Sequence, residues 1–311
     1  MFIQNETLID FCIFRLLLNK KIRLKTILSI DCGTQSLRAA LFSPEGEMLA
    51  IQRVLFEPYK SSQPGWAEQD PEVYWQALTE ACQKLKAEVP EFFEKIAGVG
   101  VTTMRDSLVN VDEQGNPLRP LMVWLDQRKA APVYKPGIIM KIIIWFIGMT
   151  DSIQKAQRDG KCNWIRQNQP EIWKKTHKFL QVSGLLNFRL TGTFRDSVAS
   201  QIGHVPFDYK RQKWGNPKRL FVFSAKLYPI EKDKLPELVK PGETIGQITE
   251  WAAEKTGLPA GLPVIACGSD KGCETLGMGV LNNETASLSF GTTATIQTTS
   301  KKYREPIRYM P

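Results

Sequence analysis

Residues 26–42, TILSIDCGTQSLRAALF, constrain the fold more than any other stretch. Ile27-Leu28-Ser29-Ile30 has the apolar character of a buried strand, and Asp31 stands at its end. Gly33 and Thr34 follow as a turn, where glycine lets the backbone approach a ligand. Leu37, Ala39 and Leu41 alternate with Ser36, Arg38 and Ala40, the period of a returning strand. Beyond the turn at Pro44-Glu45-Gly46-Glu47, Met48 to Phe56 predicts a third strand. A carboxylate at the hairpin entry and Gly33-Thr34-Gln35-Ser36 at its tip suit a phosphate. Backbone N–H groups and hydroxyls can hold the oxygens, and Asp31 can hold Mg²⁺ directly or through water. Taken alone, the stretch is equally well read as an ordinary hairpin with a polar tip.

The chain that follows alternates between the two periods. Asp70-Pro71 opens a helix that runs to about Glu88, with Val73, Trp75, Leu78, Cys82 and Leu85 at helical spacing. Ile96 to Thr103 is then a buried strand. Strand, crossover helix, strand places the fold in the α/β class. Arg105 and Asp106 come directly after that strand, where α/β sheets collect ligands. Arg donates through a rigid fork and Asp accepts, so the two can bind hydroxyls, or else form a surface ion pair at a turn. Ser107–Asp112 and Leu118–Trp124 predict a hairpin, followed by Asp126 near the same edge. The apolar segment 137–149 reads as a core-facing helix or a flap over the site, and Phe179 to Leu190 as a buried helix. Asp196-Ser197-Val198-Ala199-Ser200 is a polar turn lining a cleft or capping a helix. Glu250 to Thr256 is a helix closed by Gly257. Leu262 to Gly268 is a strand that runs into Ser269-Asp270 and a helix from Lys271 to Met278. Asp270 is a candidate general base or a helix cap. Ala286 to Ile296 then repeats the opening device, with Gly291-Thr292-Thr293 at its tip. Two such hairpins suggest two related halves closing on one nucleotide.

Composition narrows the classes. The six cysteines form no C-x-x-C pair and there are two histidines, which argues against a zinc site or a disulfide framework and fits a reducing cytosol. A net charge of +9 suits an anionic ligand, but the basic residues are scattered and no nucleic-acid-binding pattern is present. Both apolar runs, Leu8 to Leu18 and 137–149, are too short to span a bilayer. No nucleic-acid or membrane partner is expected. Residues 1–25 are read as a dispensable extension before the first strand, with an amphipathic surface helix as the alternative.

Six motifs together resemble the FGGY carbohydrate kinase family, to which glycerol kinase and xylulokinase belong. They are IDCGTQSLRAALF at 30–42, PGWAEQDPEVYW at 64–75, VTTMRDS at 101–107, VWLDQR at 123–128, ACGSDKGCETLGMG at 266–279 and SFGTT at 289–293. The resemblance implies a ribonuclease-H-like fold of the actin and hexokinase type, a mixed sheet flanked by helices. It also implies ATP-dependent, Mg²⁺-assisted phosphorylation of a sugar or polyol hydroxyl in the cytoplasm. Asp270 is implied as the catalytic base, Asp31 as the Mg²⁺-associated carboxylate, and Gly33, Thr34, Gln35 and Ser36 as the first phosphate loop. Gly291, Thr292 and Thr293 would be the second loop, and Arg105, Asp106, Trp124 and Asp126 would meet the substrate. Residues 26–283 would form the sugar-binding domain and 284–311 the start of a nucleotide-binding domain, so a truncated form is expected. A catalytically impaired sugar-binding fragment, an actin-like ATPase or an acyl kinase are the alternatives, and a second copy of the chain is a further candidate partner.

Overall fold

The computed structural model describes residues 25–290 and 294–304. The extension before Lys25 and the second loop, Gly291 to Thr293, therefore lie outside the described residues.

The chain begins with three antiparallel strands, β1 (Thr26–Cys32), β2 (Ser36–Phe42) and β3 (Met48–Leu55). β1 buries Leu28, Ile30 and Cys32, the alternate positions that its pattern predicts. A short β4 (Glu68–Gln69) leads into α1 (Glu72–Glu88), where the Asp70 carboxylate accepts the Glu72 N–H at 3.0 Å. Tyr74, Trp75, Leu78, Cys82 and Leu85 recur at three- and four-residue spacing, so one stripe of α1 packs on the sheet. After α2 (Pro90–Phe93), β5 (Ile96–Thr103) lies parallel to β1.

β6 (Leu108–Val111) pairs with β7 (Leu121–Met122), the expected hairpin. β7 is shorter than Leu118–Trp124 because Pro120 cannot donate to a ladder. Four helices follow: α3 (Ile138–Phe146), α4 (Thr150–Asp159), α5 (Lys161–Asn168) and α6 (Pro170–Lys175). The apolar α3 faces the core along one edge only, through Ile144 with Met140 packed against the same cluster, and is not a flap over the cavity. It buries only Ile144, while Ile138, Ile139, Ile142, Trp145 and Phe146 are exposed, and none of them lines the cavity described below. Its sequence lacks a polar face that would select one side for burial.

Phe179 to Gln181 also departs from the predicted helix. It belongs to β8 (Lys178–Gln181), antiparallel to β6, and α7 (Val182–Thr191) starts only at Val182. A continuous apolar run does not distinguish a buried strand from a buried helix. The remaining strands are β9 (Arg195–Ser197), β10 (Phe207–Asp208), β11 (Lys213–Trp214), β12 (Glu237–Val239), β13 (Thr244–Gln247) and β14 (Pro263–Ile265). Between them lie α8 (Ser224–Leu227) and α9 (Glu250–Thr256), the latter closed by Gly257 in the left-handed conformation. α10 (Asp270–Gly277) and the hairpin β15 (Ser287–Phe290) with β16 (Ala294–Gln297) complete the described chain.

The central sheet has the order β13-β14-β5-β1-β2-β3, with β14, β5 and β1 parallel. Parallel strands end on the same edge. The stretches after β1, β5 and β14 are therefore brought together, although they are far apart in sequence. No helix among the described residues is long and apolar enough to cross a membrane.

Candidate functional site

That shared edge opens into a cavity of about 360 Å³, lined by Gly33 and Thr34 after β1, Met104 to Asp106 after β5, and Asp270 and Lys271 after β14. Trp124, Gly203 and Thr295 close its sides. The strands are locked at this edge. The Met104 N–H donates to the Cys32 carbonyl at 3.0 Å, and Thr102 Oγ1 donates to the Gly268 carbonyl at 2.9 Å. The Gly33-Thr34 turn thus sits beside Arg105, and the loop before Asp270 is tied to β5.

Within the first loop, the Gly33 N–H is taken by the Ser36 carbonyl at 2.9 Å, and the Gln35 carbonyl accepts from Phe56 at 3.1 Å. Thr34 Oγ1 accepts the Trp124 indole N–H at 3.0 Å, which leaves its hydroxyl proton free to donate. Trp124 is 38% exposed and lines the cavity. Gln35 and Ser36 do not line it.

Asp270 is the first residue of α10. The cap is Ser269, whose hydroxyl accepts the Gly272 N–H at 3.4 Å, so the helix does not need Asp270 for that purpose. Arg105 Nε lies 3.7 Å from Asp270 Oδ1. Burial pushes the Asp270 carboxyl upward and the nearby Asp31 charge adds to it. The Lys271 N–H, Arg105 and the Lys271 ammonium pull it down, and the balance is a raised pKa.

Asp106 is arranged differently. Its oxygens take the Lys161 ammonium at 2.6 Å, His204 Nδ1 at 2.7 Å and the His204 N–H at 2.8 Å. Burial alone would raise its pKa, but Lys161 and the His204 hydrogen bonds outweigh it, and the carboxyl is held well below the usual carboxylate range. Its φ of +55° is left-handed, uncommon for a residue with a side chain. Gly203 makes the fit possible, because a Cβ there would come within 2.5 Å of Asp106 Oδ1. Neither Lys161 nor His204 is part of the motif set; Lys271, inside the 266–279 motif, bonds Glu274 at 2.6 Å and Ser289 at 2.8 Å.

Asp126 is the expected substrate group that the structure removes from the cavity. Its carboxylate accepts from Arg128 Nε at 2.9 Å and from the Ala67 N–H at 2.8 Å, and its side chain is 1% exposed. Arg128 lies against the rings of both Trp66 and Trp164, 4.1 and 4.4 Å from their centroids, and also meets Glu68, the partner of Arg119. Asp126 holds a buried ion cluster instead of presenting an oxygen to a ligand. Asp31 pairs with Arg38 at 2.9 Å and is 38% exposed, just outside the cavity lining.

The polar turn at Asp196 does not line the cavity; it caps a helix, a single 3-10 turn (Val198–Ser200) in which the Ser197 hydroxyl accepts the Ala199 N–H at 3.2 Å. Asp196 is buried and accepts from Ser183, Asn187, Gln201 and the Ser197 N–H at 2.7–3.1 Å. Burial outweighs these bonds and pushes its carboxyl up to about 6. The turn it anchors supports the loop before Asp270: Ala199 O accepts the Ser269 N–H at 3.2 Å, and Ser200 Oγ meets the Cys267 carbonyl at 3.4 Å.

A carboxylate at the start of a helix, an adjacent Gly-Thr hairpin and an Arg-Asp pair thus share one sheet edge and one cavity. Comparison with known proteins identifies the group. Residues 26–277 match the model of the N-terminal domain of the FGGY family of carbohydrate kinases, and the chain belongs to that family. It is 28% identical over 288 residues to the uncharacterized sugar kinase YgcE of Escherichia coli (strain K12), covering 92% of this chain and 50% of that protein. It is 29% identical over 294 residues to the L-fuculokinase of the same organism, covering 86% and 55%. The chain spans about half the length of such relatives. In fold it resembles the xylulose kinase of Rhodospirillum rubrum, with a TM-score of 0.76 at 22% identity over 92% of this chain and 59% of the other. The actin- and hexokinase-like, ribonuclease-H-like architecture is thereby shown.

Proposed function

We propose that this chain phosphorylates a hydroxyl group of a small sugar or polyol with ATP as donor. The carrying observation is that Asp270, the Gly33-Thr34 turn and Arg105-Asp106 line one cavity. In this reading Arg105 and Asp106 bind the substrate hydroxyls and the face of Trp124 packs on the sugar carbons. Asp270 takes the proton from the attacking hydroxyl, and its raised pKa supports that role by bringing its proton affinity closer to the working range. Thr34 and the loop amides hold phosphate oxygens as charge develops in transfer.

No group of three or more metal-ligating side chains occurs among the described residues. The donor set fits Mg²⁺ arriving with a nucleotide, because that ion keeps most of its waters and needs one or two carboxylates. Asp31, whose charge already reaches Asp270, would hold it, and the ion would supply charge neutralisation at the phosphates. We place the sugar-binding domain at residues 26–283 and the start of a nucleotide-binding domain at 284–311. ATP as donor and the five free thiols among the described residues support a cytoplasmic place of action.

The test is a panel of pentoses, hexoses, their ketoses and polyols with Mg-ATP, read as ADP release. Release with one chemical class supports the reading. No release above background with any of them, with the folded chain shown to be present, overturns it.

A further inference from the structure

Lys161 occupies a position that its own helix disfavours. It is the first residue of α5, where the positive end of the helix dipole opposes a cation. Its side chain is only 3% exposed, and an ammonium buried without a counter-charge is strongly unfavourable. Among the described residues its side chain has a single partner, Asp106 Oδ2 at 2.6 Å. An apolar side chain of the same length would fill this space without either penalty, so packing does not account for an ammonium here.

Asp106 is constrained from every other side. Its backbone is left-handed, and Gly203 lies so close to its carboxylate that a Cβ there would clash. The His204 main-chain N–H and Nδ1 both donate to it, Nδ1 necessarily carrying a proton toward a carboxylate. Arg105 turns toward Asp270. The other titratable groups that feel its charge are Tyr209, Tyr228 and the Cys162 thiol, all kept protonated by burial. A carboxylate has about four acceptor sites, and three donors already occupy Asp106, so about one site remains for a ligand.

We propose that Lys161 is a positioning residue, whose buried ammonium keeps Asp106 ionised and aimed so that its remaining acceptor site meets one substrate hydroxyl. This rests on the kinase reading above and goes beyond it by assigning the control of substrate affinity to a residue outside the cavity lining. Asp106 does the binding, and Lys161 acts through it.

The test compares the full chain with Lys161→Met, Asp106→Asn and the double variant. Two readouts are used: ¹³C-carboxyl NMR of Asp106, and calorimetry with the sugar or polyol that the panel identifies, each between about pH 5 and 8. In Lys161→Met the Asp106 carboxyl is expected to titrate within that range, whereas in the unaltered chain it does not. Binding should weaken about 10- to 100-fold, with the loss growing toward low pH and kcat changing less than KM. Lys161→Met added to Asp106→Asn should cause no further loss. An Asp106 signal that stays ionised in Lys161→Met, or losses that add in the double variant, overturns the proposal. Should Lys161→Met fail to fold, the double variant, which removes both buried charges, decides by the same comparison with Asp106→Asn. The NMR readout needs no turnover, so an inactive chain whose Asp106 still responds would refute the kinase reading and leave the Lys161 assignment standing.

Discussion

The two walls of the cavity carry one carboxylate each, and they are built in opposite ways. Asp270 has one N–H donor from Lys271 at 2.7 Å and a loose cation at 3.7 Å, and burial leaves its pKa raised. Asp106 has three donors within 2.8 Å, one of them an ammonium, and its pKa is depressed. When environments push two carboxyl groups apart in this way, their roles separate. The group with spare proton affinity can accept a proton, and the one held by three donors stays charged, with its remaining acceptor site able to orient a ligand. The difference follows from the elements around them. The Asp270 side chain points out from a helix start whose cap is supplied by Ser269. Asp106 is enclosed by α5 and by the loop from Gln201 to His204.

Breaking the first wall should have the largest effect. Asp270→Asn keeps size and loses the proton acceptor, so kcat should fall by roughly two orders of magnitude or more, with sugar affinity little changed. Near-normal turnover would make Asp270 a structural residue.

A change just outside both walls sharpens their boundary. Asp126→Ala leaves the buried Arg128 with Glu68 as its remaining carboxylate partner and should destabilise the chain, by less than the roughly 3–5 kcal/mol of a fully unpaired buried charge, read by chemical denaturation. Sugar affinity of the folded fraction should stay unchanged, and a selective loss of affinity would return Asp126 to the substrate site.

Arg105 stands between the walls, so removing it should touch both more gently. Arg105→Ala should weaken sugar binding by about 1.5–3 kcal/mol. Because Arg105 pulls the Asp270 pKa down, its loss should raise that pKa further and move the acid limb of the kcat profile to higher pH. A limb that stays in place or moves to lower pH would contradict the electrostatic link between the walls.

Much of this was legible in the sequence, and the rest was hidden for physical reasons. β5 and α9 were predicted to the residue, and β1, β2 and α1 nearly so, because their burial patterns have one clear period. Asp270, Arg105 and Gly33 come together in one cavity as the sequence leads one to expect, because each lies in the stretch that follows a strand of the parallel set: Gly33 immediately, Arg105 after Met104, and Asp270 after the loop Ala266 to Ser269. Lys161 and His204 were not found, since they reach Asp106 from 55 and 98 residues away and no local pattern encodes such a contact. Lys161 did leave one trace, a cation directly after Gly160 at a helix start. Asp126 was misassigned because WLDQR shows a polar group near the strand edge but not the Arg128 fork that closes on it. The orientation of α3 could not be read from a segment in which almost every position is apolar.

The separation of the two carboxylates is tested most directly by following both in one ¹³C-carboxyl NMR titration of the full chain, assigned with Asp106→Asn and Asp270→Asn. Asp106 should remain ionised down to the lowest pH at which the chain stays folded, while Asp270 should titrate above the ordinary aspartate value of about 4. If the two titrate together in the ordinary range, or in the reverse order, the division of roles between the walls is wrong.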